Sequence, residues 1–234
     1  MLAVMAHLSD SAFASPLPLL GAAAPTRTDS IVDALKSAIL AGQLTPGQVL
    51  VERKIAEQLG VSKTPVREAL IILERSGLLA LESRSIAVRK LSFTDIRHVY
   101  EERVLLEPWA ILDAARFDKQ FVAAGTALTD AKQHRIAGDN AARALANRRF
   151  HRGMYASSEN SFIIRALDSL QDLTALAVAG VLWERWPEWE IEATEHQAIY
   201  DAARAGNADV AAELMRKHIS ASIDRVTQIE RNPE

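Results

Sequence analysis

His151, His196 and His218 each share a helical-period stripe with apolar residues. His151 lies with Ala144, Asn147, Met154 and Tyr155, His196 with Ile199, Tyr200 and Ala203, and His218 with Ala211, Leu214 and Met215. One histidine on an apolar stripe is ordinarily a satisfied core residue. Three on three separate helices, with the amide of Asn147 one turn before the first, are harder to dismiss, because several unpaired imidazoles in one core would be costly. Helix bundles build metal sites from side chains on facing helices in this way. Imidazole donors suit a divalent ion such as Zn²⁺ or Ni²⁺, whereas an oxygen-rich set would suit Mg²⁺ or Ca²⁺. No second carboxylate is placed by motif beside these residues. Glu195 adjoins His196 in sequence but lies about 100° away on the helical wheel. His7, His98 and His134 fit no such pattern and read as surface or structural residues.

A second chemistry sits in residues 60–70, GVSKTPVREAL. Val66, Ala69, Leu70 and Leu73 repeat at i, i+3, i+4, i+7 and form one buried stripe. Pro65 fits a first helical turn, where its missing N–H costs nothing, and Ser62 is expected to cap that turn with its side chain. Thr64 then lies opposite the stripe, flanked by Lys63 and Arg67, so the helix presents a polar, cationic tip. The alternative role for Arg67 is a solvated pair with Glu68 or Glu52.

The elements that position these groups follow from periodicity and punctuation. Ile31, Ala34, Leu35, Ala38 and Ile39 make one helical stripe, closed by Gly42 and the Pro46-Gly47 turn. Residues 52–59, with Ile55, Ala56 and Leu59 inward, form a second helix that Gly60 ends in a left-handed conformation. Two short helices joined by a tight Gly-containing turn read as a helix-turn-helix. LLALE and IAVRKL, around Ser83–Ser85, read as a hairpin that would make a wing. Ser92-Phe93-Thr94-Asp95 resembles a capping box. From there six helices are expected, at about 94–117, 119–136, 139–157, 161–184, 188–205 and 208–229, with breaks at Gly138-Asp139, Ser158–Asn160, Pro187 and Gly206-Asn207. The fold class is therefore mostly α, an N-terminal winged helix-turn-helix over 28–91 and a C-terminal all-helical bundle over 92–230, after a flexible arm at 1–27.

The 234-residue chain is 49% hydrophobic with a net charge of −3, ample for two cores, and it contains no cysteine. That excludes disulfides and thiolate metal sites and suits a reducing cytoplasm. No apolar run is long enough to span a bilayer as a helix, and the N-terminal segment lacks the basic start of an export signal. Residues 28–91 hold two more basic than acidic residues, whereas 92–234 hold five more acidic than basic. Neither a Gly-rich phosphate loop nor HExxH occurs.

Residues 40–79, LAGQLTPGQVLVERKIAEQLGVSKTPVREALIILERSGLL, resemble the winged helix-turn-helix of the GntR family of bacterial transcription regulators. The PG turn, the ER pair, the VSKTPVREAL helix start and the SGLL follow one another in order. The resemblance implies a DNA-binding homodimer on a short palindromic operator, contacted by Arg53, Lys63, Thr64 and Arg67, with Arg67 reading guanine in the major groove. Family wings carry a basic residue followed by glycine at the tip. Here Arg84-Ser85 follows Glu82, so no tight glycine turn is expected, and Arg84 is the candidate wing contact.

Residues 100–115 (YEERVLLEPWAILDAA), 147–151 (NRRFH), 195–211 (EHQAIYDAARAGNADVA) and 216–219 (RKHI) are similar to the FCD effector domain of the FadR-like branch of that family. Metal-binding members hold a divalent ion with an Asp and three His. The Asp position is Asn147 here, so the implied set is Asn147, His151, His196 and His218. An amide donor weakens metal affinity and leaves the ion's charge uncompensated for a small organic-acid effector. An arginine at the position of Arg103 commonly faces the effector pocket and forks onto a carboxylate; its alternative is an i, i+4 pair with Glu107. Trp109, Trp183 and Trp186 read as core or interface. The expected function is a DNA-binding transcription regulator modulated by that effector, not an enzyme. The alternatives are a metal-dependent hydrolase or lyase fused to a DNA-binding domain, and a metal-free ligand sensor.

Overall fold

The computed structural model describes residues 26–178, 182 and 189–231. The expected arm lies almost wholly outside these residues, as do Trp183, Trp186 and the expected break at Pro187. Helices α1 (Arg27–Leu40), α2 (Glu52–Leu59) and α3 (Lys63–Arg75) are followed by strands β1 (Leu79–Glu82) and β2 (Ser85–Val88). The remaining helices are α4 (Phe93–Ala114), α5 (Val122–Ala137), α6 (Asn140–Tyr155), α7 (Ser161–Ala177), α8 (Trp189–Arg204) and α9 (Ala208–Arg231). Among the described residues no helix is long and apolar enough to cross a membrane.

The α3 stripe is as its spacing requires, with Val66, Ala69, Leu70 and Leu73 all buried. Gly60 ends α2 at φ 63°, ψ 36°, a region that only glycine enters without a steric penalty. Two expected inward residues are not inward: Ala34 is exposed and Leu59 is 43% exposed, because the cores that α1 and α2 share with α3 are closed by Leu35, Ile39, Ile55 and Ala56. Ser62 does occupy the N-cap of α3 with extended backbone, but its side chain makes no capping hydrogen bond. The Ser92 capping box forms in full, Ser92 Oγ accepting from Asp95 N at 3.1 Å and Asp95 Oδ2 from Ser92 N at 2.9 Å.

The wing is an antiparallel hairpin in which Glu82 pairs with Ser85. Its two loop residues, Ser83 and Arg84, have φ of 46° and 74°. A two-residue hairpin needs positive φ at both positions to match the strand twist, so the glycine turn is absent, as expected, and Ser83 and Arg84 make a tight turn in its place. The loop before α2 braces it, Leu50 N donating to Ile86 O at 2.8 Å and Val88 N to Gln48 O at 3.0 Å.

In the bundle α4 packs on α9 and α7, α5 on α6, and α8 on α9. Helix α4 runs through Pro108. Proline cannot donate to the carbonyl four residues back, and Arg216 of α9 takes that acceptor instead, Nη1 to Val104 O at 3.4 Å. Trp109 is 45% exposed on this chain. Helices α5 and α6 approach closely at Gly153, where a Cβ would fall 2.5 Å from Ala124 N and 2.8 Å from its Cα. These are backbone atoms and cannot swing aside. Gly153→Ala is therefore expected to lower stability by about 1–3 kcal/mol, the usual range for overpacking, in urea denaturation; a change below about 0.5 kcal/mol would contradict the close packing.

Candidate functional site: a buried histidine centre and a cationic helix tip

Arg53, Lys63, Thr64, Arg67 and Arg84 are all exposed. The first four lie on α2 and on the first turns of α3, and Arg84 lies at the wing tip. Arg67 does not project freely: its Nε and Nη2 donate to Glu52 Oε1 and Oε2, each at 3.0 Å. Arg53 Nη1 likewise donates to Glu57 at 2.6 Å. Glu68 instead accepts from Thr28 Oγ1 of α1 at 2.8 Å. An exposed ion pair is worth about 0–1 kcal/mol, so Glu52 holds Arg67 only weakly.

The three sequence-selected histidines come together. His151 on α6, His196 on α8 and His218 on α9 each offer a ring nitrogen within 4.8 Å of the others, and all are buried. His196 Nε2 and His218 Nε2 face each other at 3.1 Å. His151 Nδ1 donates to Glu107 Oε2 at 2.8 Å, and His218 Nδ1 to Glu195 Oε2 at 2.7 Å. A ring that gives its Nδ1 proton to a carboxylate carries its lone pair on Nε2, the arrangement that orients metal-binding histidines. Asn147, one turn before His151, keeps a buried Oδ1 with no hydrogen-bond partner among the described residues. Three converging imidazoles and an orphaned amide oxygen therefore fit a divalent metal as nitrogen and oxygen donors.

Burial pushes the His151 pKa down to about 4, outweighing the Glu107 carboxylate that favours its charged form. Burial and the neighbouring His218 and His151 hold His196 well below the usual histidine range. Both rings are neutral at neutral pH, as ligation requires. Burial alone would raise the Glu107 pKa, but Arg103 and His151 bring it down to about 2. The hydrogen bond from His218 holds Glu195 below the ordinary value.

Sequence reasoning did not find Glu107 or Glu195 as histidine partners. The sequence offers Glu107 only as a partner for Arg103, and it places Glu195 away from His196, which holds; the partner of Glu195 is His218 on α9. Helical periodicity carries no signal for a contact between helices, so only packing reveals it.

Arg103 takes the i, i+4 pairing. It is 1% exposed, with Nε on Glu107 at 2.6 Å, Nη1 on Thr174 Oγ1 at 3.2 Å and Nη2 3.1 Å from His151 Nδ1. Glu107 neutralises its charge beside the histidines. A cavity of about 370 Å³ opens on the other side, lined by Asn147 and His196 together with Lys132, Arg135, Arg143 and Glu192; Arg103 does not line it. A second groove, of about 550 Å³, reaches His218 and Glu195 from the α9 side.

Residues 27–87 match the model of the gntR family of bacterial regulatory proteins, and residues 98–221 match that of the FCD domain. The chain belongs to the GntR family. It is a transcriptional regulator with a winged helix-turn-helix and a helical FCD domain. It is 32% identical over 202 residues, 84% of this chain and 87% of the other, to a protein of Paenarthrobacter nicotinovorans described as a probable D-xylose utilization operon transcriptional repressor. It is 25% identical to a gluconate operon transcriptional repressor of Bacillus licheniformis, covering 82% of this chain and 80% of that one. Among solved structures, a GntR regulator from Rhodococcus sp. RHA1 superposes with a TM-score of 0.77 at 26% identity, covering 86% of this chain and 98% of that one.

The buried, neutral His151 of this GntR regulator contributes to its sensitivity to acid. The folded pKa of His151 lies below the unfolded value of 6.5, so the unfolded chain takes up the proton first. Stability is then undiminished above about pH 6.5 and lost as pH falls toward 4. Chelator-treated protein is expected to lose about 2 kcal/mol from His151 alone between pH 7 and pH 5. Equal urea midpoints at the two pH values would show that the ring is not buried neutral. Glu107 contributes in the same direction only at lower pH, between its unfolded value of 4.5 and about 2.

Proposed function

We propose that this GntR regulator is a cytoplasmic homodimeric repressor whose grip on a palindromic operator responds to a small organic acid bound beside a divalent metal. The observation that carries the reading is the pairing of Glu107 with His151 and Glu195 with His218 around three buried imidazoles, together with the unsatisfied Asn147 oxygen in the wall of a cationic cavity. His151, His196 and His218 would hold the ion, Zn²⁺ or Ni²⁺ first, with Asn147 as the weak fourth ligand. The bound ion supplies a Lewis-acidic cation whose charge no first-rank carboxylate cancels. Lys132, Arg135 and Arg143 line the approach against Glu190, which pairs with Arg135, and Glu192, so the lining keeps a positive excess that favours an anionic ligand, while Arg103 keeps Glu107 ionised and His151 oriented. The relative named for a gluconate operon supports a sugar acid as the ligand class; the one named for D-xylose utilization supports the size of the ligand and not its charge.

On the DNA side, Arg67 would exchange Glu52 for guanine, Lys63, Thr64 and Arg53 would take backbone or base contacts, and Arg84 would reach from the wing. One recognition helix reads only a few base pairs, so two half-sites about one helical turn apart account for useful specificity.

Arg67→Ala is expected to cost about 1–3 kcal/mol per half-site in a shift assay at fixed salt; unchanged operator affinity would remove Arg67 as a base reader. Glu107→Gln is expected to weaken metal binding by about 10- to 100-fold, and Asn147→Asp to tighten it through the added carboxylate. His196→Ala should abolish metal binding and leave DNA binding by residues 28–91 intact. Metal titration calorimetry on chelator-treated protein decides these: zinc affinity unaltered in His196→Ala would turn the histidines into core residues.

A further inference from the structure

Three successive residues of α7 address three different parts of the molecule. Gln171 Nε2 donates to Glu107 Oε1 at 2.7 Å, and so touches the carboxylate that orients His151. Asp172 accepts from Lys36 of α1 at Oδ2 and from Arg148 of α6 at Oδ1, with Nε at 2.6 Å and Nη2 at 2.5 Å. Leu173 packs against the turn that follows α3, its methyls 3.5 and 3.7 Å from where a Cβ on Gly77 would stand. Helix α1 in turn packs on the recognition helix α3.

Asp172 is 3% exposed, and its carboxylate is shared between two cations from different domains. Arg148 follows Asn147 directly and lies three residues before His151, so it moves with the face of α6 that offers two metal donors. Its guanidinium crowds both nitrogens onto one oxygen. The stronger arrangement, a fork across both oxygens, would bring a guanidinium nitrogen onto the Oδ2 that Lys36 now holds, where the two cations repel each other. Lys36 has solvent as an alternative, since its side chain is 30% exposed, against 17% for that of Arg148. A shift of α6 toward the fork would therefore weaken the hold on Lys36.

We propose that Asp172 is the positioning residue through which occupancy of the histidine centre reaches the DNA-binding helices. Ordering of Asn147 and His151 around an ion shifts Arg148, Arg148 and Lys36 compete for Asp172, and α1 carries the result to α3. The inference rests on the metal-responsive reading above and adds its route. A coupling of this kind is a free energy shared between two sites, typically about five- to 150-fold in affinity, and it needs an element with two arrangements.

The test measures operator affinity with Zn²⁺ and with chelator, on a duplex selected for tight binding to the zinc-loaded protein, alongside zinc affinity by calorimetry. Lys36 is the residue to change, because removing the Asp172 carboxylate would take from the largely buried Arg148 its ion-pair partner. Wild type is expected to give an affinity ratio of at least about fivefold. Lys36→Gln should bring that ratio below about twofold with zinc affinity unchanged, and Lys36→Arg, which keeps the charge, should retain it. A wild-type ratio in Lys36→Gln, or a ratio lost equally in Lys36→Arg, would overturn the route while leaving metal-responsive regulation intact. A wild type that binds zinc with no change in operator affinity would overturn both.

Discussion

The carboxylate of Glu107 is the point from which the effector domain is organised. It is fully buried and accepts from Arg103 on its own helix, from Gln171 on α7 and from His151 on α6. An apolar replacement of a buried ion pair is often as stable or more so, so packing energy does not account for its presence. What it does is fix geometry. It sets the tautomer of His151, holds a guanidinium in the core without net charge, and joins three helices at one oxygen pair. Without it, Arg103 would be an uncompensated cation among three imidazoles, and neither could stay where it is.

How much of this is legible in the sequence depends on the range of the interaction. Stripes such as Val66, Ala69, Leu70 and Leu73, and those of the three histidines, are local periodic signals, and packing leaves them unchanged. Punctuation by Gly60, Gly138 and Asn160 works for the same reason, since a left-handed residue or an Asx cap needs nothing beyond its neighbours. The partnership of Glu195 with His218 spans 23 residues and two helices, and that of Lys36 with Asp172 joins α1 to α7; no periodicity encodes either. Ser62 fails differently. Its position is right and its backbone is extended, yet the hydroxyl makes no bond to the helix start, because residue type predicts where a cap sits better than whether its side chain engages.

The DNA-facing surface also departs from a simple picture of bare cations. Arg53 and Arg67 are each held by a glutamate of α2, which lowers the local positive potential and with it nonspecific attraction to phosphate. A surface built this way keeps its guanidinium groups oriented by internal pairs while leaving them exposed, so each pair is held by no more than an exposed ion pair is worth.

The wing tip makes a comparable trade in its backbone. Ser83 and Arg84 occupy the left-handed region that glycine enters freely, and a non-glycine residue there costs of order 1 kcal/mol. Relieving that strain at Arg84 with glycine would delete the only side chain of the turn that carries a positive charge. The hairpin is therefore caught between a sturdier loop and a charged one. Substitution at this position is constrained from both sides: glycine relieves the backbone and removes the charge, and any side chain kept there must be supported by the brace from Gln48 and Leu50.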